Sequence, residues 1–195
     1  MINFMVQNQM EIFSWTSGAL CVWLITKENI WNWPIGMVNN LVLGFVFLTS
    51  KLYGQFILQI IFFVISIYGW WYWTRPVSDR PKVPITRLTI SQWGAGLGMA
   101  GLVWWAVSSG LQNWTDGSLP VIDGLILVLG LTAQILMALK KLENWWIWIL
   151  FNTLSSLTSA FKDLYIIASL YMLFLVLCLS GLHLWTKSYR KGGAL

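Results

Sequence analysis

The sequence predicts an all-α integral membrane protein in which two three-helix units flank a lone fourth span, with the N-terminus outside and the C-terminus cytoplasmic. Three observations carry that expectation. The 195 residues are 57% hydrophobic and only 10% charged, where soluble domains carry roughly 25% charged residues. Seven apolar runs approach the length of about 20 residues that a helix needs to cross a bilayer. Residues in the stretch 33–75 also match residues in the stretch 145–187 at a constant offset of 112.

The runs fall at 9–26, 33–50, 54–73, 92–111, 121–139, 145–161 and 163–185. The first follows MINFMVQNQMEIF, which has neither a basic leader region nor a small-residue cleavage site, so this run is expected to stay in the mature chain. The second carries Asn39 and Asn40 in a W-x6-N pattern, and the third carries Gln55 and Gln59 and ends in WTR. The loop TRPVSDRPKVPITR, with three prolines and four basic residues, stops helix continuation and suits an anionic inner leaflet. In the fourth run, GAGLGMAG at 94–101 has the small-residue spacing of a close helix approach and is read as packing. The fifth carries Gln134, the sixth Trp148 and Asn152, and the seventh His183 just before a basic tail. Ten of the twelve basic residues lie on one side of this alternation, which the positive-inside rule makes cytoplasmic.

The 112-residue repeat pairs Trp33 with Trp145, Asn40 with Asn152, Gly69 with Gly181 and Trp73 with Trp185. One membrane domain over 1–195 is therefore expected, with a first triplet at 9–75, a loop and linker helix at 76–111, and a second triplet at 121–187. The odd linker gives both triplets the same orientation, a parallel repeat with substrate held where the halves meet. Trp70, Trp71, Trp73, Trp145, Trp146 and Trp185 fall near the inner interface and are expected as belt anchors.

The seven acidic residues all sit at or beyond helix ends, so no buried carboxylate is offered for ion coupling, and uncoupled passage of a solute is expected. With one histidine and with Cys21 and Cys178 inside apolar runs, no metal or cofactor is expected, and the thiols read as reduced packing residues. The scattered basic clusters argue against nucleic acid as a partner. An intramembrane enzyme would need a nucleophile–base pair at depth, and a sensor a signalling domain larger than the tail SYRKGGAL. What the interior offers is amides and indoles. Trp148 and Asn152 share a helix face, and a hairpin turning at KKLEN brings Gln134 to a similar depth.

TAQILMALKKLENWWIWILFN at 132–152, DLYIIASLYMLFLVLCLSGLHLW at 163–185 and, in the first half, WNWPIGMVNN and KLYGQFILQIIFFVISIYGWWYW resemble the Pnu family of bacterial vitamin transporters, closest to its nicotinamide riboside branch, PnuC. The resemblance implies a three-plus-one-plus-three fold similar to full-length SWEET transporters, in a bacterial inner membrane. It also implies facilitated diffusion of a vitamin that a cytoplasmic kinase phosphorylates and traps. Nicotinamide riboside leads, with thiamine or riboflavin as alternatives, membrane lipid as the surroundings, and a homo-oligomer such as a trimer compatible with each. Carried over by position, the family's substrate-binding residues fall on Gln134, Trp148, Asn152, Tyr165 and Tyr171, with Asn40, Tyr53 and Gln59 at corresponding places in the first half. Gly36 stands where Trp148 would be, so the halves are chemically unequal and one substrate per chain is expected.

Overall fold

The computed structural model describes residues 16–49, 53–75, 83–114, 119–161, 163 and 165–192. Seven helices run through them: α1 (Thr16–Thr26), α2 (Asn32–Thr49), α3 (Tyr53–Thr74), α4 (Ile90–Trp114), α5 (Pro120–Ala138), α6 (Asn144–Phe161) and α7 (Tyr165–Gly192). Four of them, α3, α4, α5 and α7, are long and apolar enough to cross a membrane. Residues 9–15 of the first expected run and 76–82 of the proline-rich loop lie outside the described residues. α7 outruns the expected end at 185; its 28 residues measure about 42 Å at 1.5 Å per residue, against a hydrocarbon core of about 30 Å. Arg190 and Lys191 in its last turn oppose the negative end of the helix dipole.

The chain divides into two compact units, Met1–Pro84 and Ile85–Leu195. In the first, α1 ends with Glu28 in the left-handed region at φ 52°. The Glu28 N–H donates to the Ile25 carbonyl at 2.9 Å and the Asn29 N–H to Leu24 at 3.0 Å, the two bonds of a Schellman cap. α2 opens on Asn32, whose Nδ2 donates back to the Asn29 carbonyl at 2.6 Å. Trp33 then packs its indole into a notch over Gly69 of α3, where an added Cβ would stand under 3.0 Å from three ring carbons. Trp73 meets the same indole edge-on, with centroids 5.3 Å apart at 87°.

In the second unit, α4 and α5 cross closely at Gly124, where an added Cβ would come within 3.3 Å of the Ser108 backbone nitrogen. The Trp104 Nε1–H donates to the Val121 carbonyl at the start of α5 at 3.0 Å. α5 ends as α1 does: Lys140 has φ 51°, its N–H donates to Met137 at 3.0 Å and the Lys141 N–H to Leu136 at 2.8 Å. Asn144 donates back to the Lys141 carbonyl at 2.6 Å, Trp145 fills the notch over Gly181, and Trp185 meets it at 5.5 Å and 87°. Each of these contacts stands 112 residues after its counterpart in the first unit.

The strand-like segment ahead of α4 clasps the α5–α6 turn. Thr86 forms a parallel bridge to Lys141, with its N–H on the Lys140 carbonyl at 3.0 Å and its carbonyl accepting from Leu142 N–H at 2.9 Å. The Leu88 N–H donates to the buried Glu143 Oε2 at 3.1 Å, and the Arg87 guanidinium lies 5.5 Å over the Tyr189 ring of α7. Removing an acceptor from a buried donor costs about 1–3 kcal/mol. Glu143→Ala is therefore expected to lower the thermal midpoint of the detergent-solubilised protein, while Asp163→Ala, at an exposed turn, leaves it unchanged.

Two sequence expectations need correction. Trp73, Trp145 and Trp185 are not belt anchors: they are 6%, 1% and 0% exposed, because each belongs to an interlocked indole pair, whereas Trp70, Trp71 and Trp146 do lie exposed. The small residues of 94–101 do not mediate a close approach among the described residues, since no atom lies within 4 Å of the positions that Cβ atoms would take on Gly94, Gly96, Gly98 and Gly101.

Candidate functional site

The register of the α5–α6 hairpin follows from one contact. An added Cβ on Gly130 would lie 3.2 Å from the Phe151 ring, so the Phe151 ring lies against α5 where the glycine leaves room. Gln134, one turn nearer the hairpin turn, then comes level with Ile147 and Trp148. Gln134 and Trp148 are both half-buried. The indole meets Phe151 edge to face at 5.2 Å and 87°, and Phe151 meets Tyr171 of α7 at 6.0 Å and 76°. Tyr171 lies beside Ser155. Three rings thus form a row across α6 and α7, with an amide from α5 at one end.

Asn152 stands inside this row, 3% exposed. Its Nδ2 donates to the Trp148 carbonyl one turn back at 2.7 Å and to Cys178 Sγ of α7 at 3.5 Å. No charged residue occurs between Asp123 and Lys140 or between Glu143 and Lys162. The arrangement can surround a flat polar solute with ring faces and hydrogen-bonding edges, and it presents no fixed charge to pair with an ionic group.

Of the residues expected from sequence, Gln134, Trp148, Asn152 and Tyr171 come together in the second unit. Tyr165 does not: it is 66% exposed, its hydroxyl donates to Asp163 Oδ1 at 2.9 Å, and it lies 13 residues before Cys178, about 20 Å along α7. In the first unit, Asn40 is half-buried on α2. Gln59 of α3 packs against Gly44, one turn beyond Asn40, and its Oε1 is buried without a partner among the described residues. The side chain of Tyr53 lies outside the described residues. Beside Gly36, which stands where Trp148 would, Cys21 Sγ lies 3.8 Å from the position of a Cβ, so a thiol occupies space next to the missing indole.

Sequence reading missed Phe151, Gly130 and Cys178. The first two carried a usable signal, because Phe151 is three residues after Trp148 and Gly130 four before Gln134, each on its partner's helix face. Nothing local marks Cys178, which meets Asn152 only through the packing of α6 on α7.

The sequence profile of the nicotinamide mononucleotide transporter family matches residues 8–187. The nicotinamide riboside transporter PnuC of Escherichia coli (strain K12) is 28% identical over 206 residues, covering 91% of this chain and 85% of that protein. The riboflavin/roseoflavin transporter RibM of Streptomyces davaonensis is 26% identical over 178 residues, covering 89% and 83%. The crystal structure of the vitamin B3 transporter PnuC superposes with a TM-score of 0.74 over 94% of this chain and 83% of that one, at 24% identity, so the two share a fold. With its long apolar helices, the chain is a multi-pass integral protein of the bacterial inner membrane.

Proposed function

We propose that this chain, which belongs to the nicotinamide mononucleotide transporter family, takes up nicotinamide riboside by facilitated diffusion. The observation that carries the reading is the uncharged row of Trp148, Phe151 and Tyr171 with Gln134 and Asn152 at its edge. Nicotinamide riboside is a flat pyridinium cation: ring faces attract its charge, and amides pair its carboxamide and hydroxyls. The E. coli relative, named for the same substrate, supports the choice. A phosphate dianion would favour Arg or Lys, and α5 and α6 carry neither between Asp123 and Lys140 or between Glu143 and Lys162, so the riboside suits the site better than its phosphorylated form. The same preference supports trapping: once a cytoplasmic kinase has added a phosphate, the product no longer fits the path by which it entered.

The parallel three-plus-one-plus-three reading is supported by the turn, notch and indole contacts that recur at 112 residues. An outside N-terminus is supported by the placement of the basic residues. RibM favours a second reading, a flavin, which is also planar but carries no charge.

A titration of purified protein with nicotinamide riboside, thiamine, riboflavin and glucose separates these. Nicotinamide riboside should bind at least about tenfold more tightly than the others, a difference of about 1.4 kcal/mol; tighter riboflavin binding would move the assignment to the flavin. In liposomes, uptake should equilibrate the substrate and remain the same with or without a proton or sodium gradient. Accumulation driven by either gradient would contradict uncoupled passage.

A further inference from the structure

The hydrogen bonds of Asn152 determine which of its functions remains available. An amide has two N–H donors and one carbonyl oxygen. The atom 2.7 Å from the Trp148 carbonyl must be the nitrogen, because two carbonyl oxygens that close would repel each other. The second proton goes to Cys178 Sγ at 3.5 Å. Both donors are therefore occupied within the protein, and Oδ1 has no partner among the described residues. The first unit lacks this device: Ser66, which stands 112 residues before Cys178, turns its hydroxyl onto its own helix, donating to the Phe62 carbonyl at 2.7 Å.

We propose that Cys178 is a positioning residue that holds Asn152 as an acceptor-only group, so that the site selects a planar cation with N–H or O–H donors on its edge and rejects the same ring bearing a carboxylate. A carboxamide offers two N–H donors to Oδ1. A carboxylate offers none, and its oxygens would face the negative end of the Asn152 carbonyl dipole. Gln134, whose amide can present either end, does not discriminate, so the choice falls to the amide whose orientation is fixed. The inference rests on the reading of nicotinamide riboside as substrate and adds to it the basis of its selectivity.

The test is a calorimetric titration of the full-length purified protein with nicotinamide riboside and with nicotinic acid riboside, in wild type, Cys178→Ser, Cys178→Val and Cys178→Ala. Wild type should prefer the carboxamide by about tenfold or more, the equivalent of one good hydrogen bond. Cys178→Ser keeps an acceptor for the second proton and should keep the preference. Cys178→Val and Cys178→Ala release an Asn152 N–H toward the substrate and should reduce the preference to about threefold or less, mainly by improving the binding of the carboxylate; two variants guard against a packing defect in either. Equal affinities in wild type, or an unaltered preference in both apolar variants, would overturn the role of Cys178 while leaving the transport reading intact. If neither riboside binds wild type, the substrate reading fails and this inference fails with it.

Discussion

Trp148→Ala is expected to weaken the binding of nicotinamide riboside by roughly 30- to 100-fold, about 2–3 kcal/mol, and to reduce uptake in proportion. A desolvated cation over an indole contributes about 2 kcal/mol or more, and an aromatic edge contact adds about 0.5–1.5 kcal/mol. Trp148 supplies the ring face and also the edge-to-face contact that orients Phe151. Trp148→Phe should recover most of the loss, since a phenyl face attracts a cation less strongly but still occupies the row. Tyr165→Phe should change affinity by less than about twofold, because the tyrosine lies exposed at the far end of α7. Titrations of the three variants decide the matter. If Trp148→Ala binds as wild type does, the indole is a packing residue and the site has been placed on the wrong face of α6.

The second large effect is on stability. Gly181→Ala would place a methyl group under 3.0 Å from three carbons of the Trp145 ring. The ring has nowhere to retreat: it is 1% exposed, and its edge partner Trp185 is 0% exposed. Overpacking a closed core costs about 1–3 kcal/mol where neighbours can yield, and this site should reach or exceed the upper end. At 2–4 °C per kcal/mol for a chain of this size, the thermal midpoint should fall by roughly 6–12 °C, with loss of the monodisperse species in size-exclusion chromatography. Combining Gly181→Ala with Trp145→Phe removes the overlapping ring and should restore part of the loss. An unchanged midpoint for Gly181→Ala alone would mean that the notch is not closed.

The helices were legible in the sequence because bilayer length and hydropathy select runs of about 20 residues almost regardless of side-chain detail. The α5–α6 hairpin and the shared depth of Gln134, Trp148 and Asn152 could likewise be counted from the KKLEN turn, since helical rise is constant. The caps at Glu28 and Lys140 were not legible, because the usual mark of a left-handed terminus is glycine, and here backbone bonds hold a glutamate and a lysine there instead. The roles of Trp73, Trp145 and Trp185 were misread because indoles near a helix end suit the interface equally well; what separates the two is a glycine 36 residues away in sequence. Tyr165 and Tyr171 are six residues apart, and only the packing of α7 on α6 showed that the second meets Phe151 while the first meets an exposed carboxylate.

The indole seated over Gly181 also limits how the second unit can deform. A flat plate wedged at right angles into a neighbouring rod stops the two rods sliding lengthwise, since any axial shear would drive a Cα into the plate. α6 and α7 therefore behave as one stiff lever, pinned near the KKLEN end. Opening and closing within this unit then falls to the less firmly keyed seam between α5 and α6, where Gln134 lies on one side and Trp148 on the other.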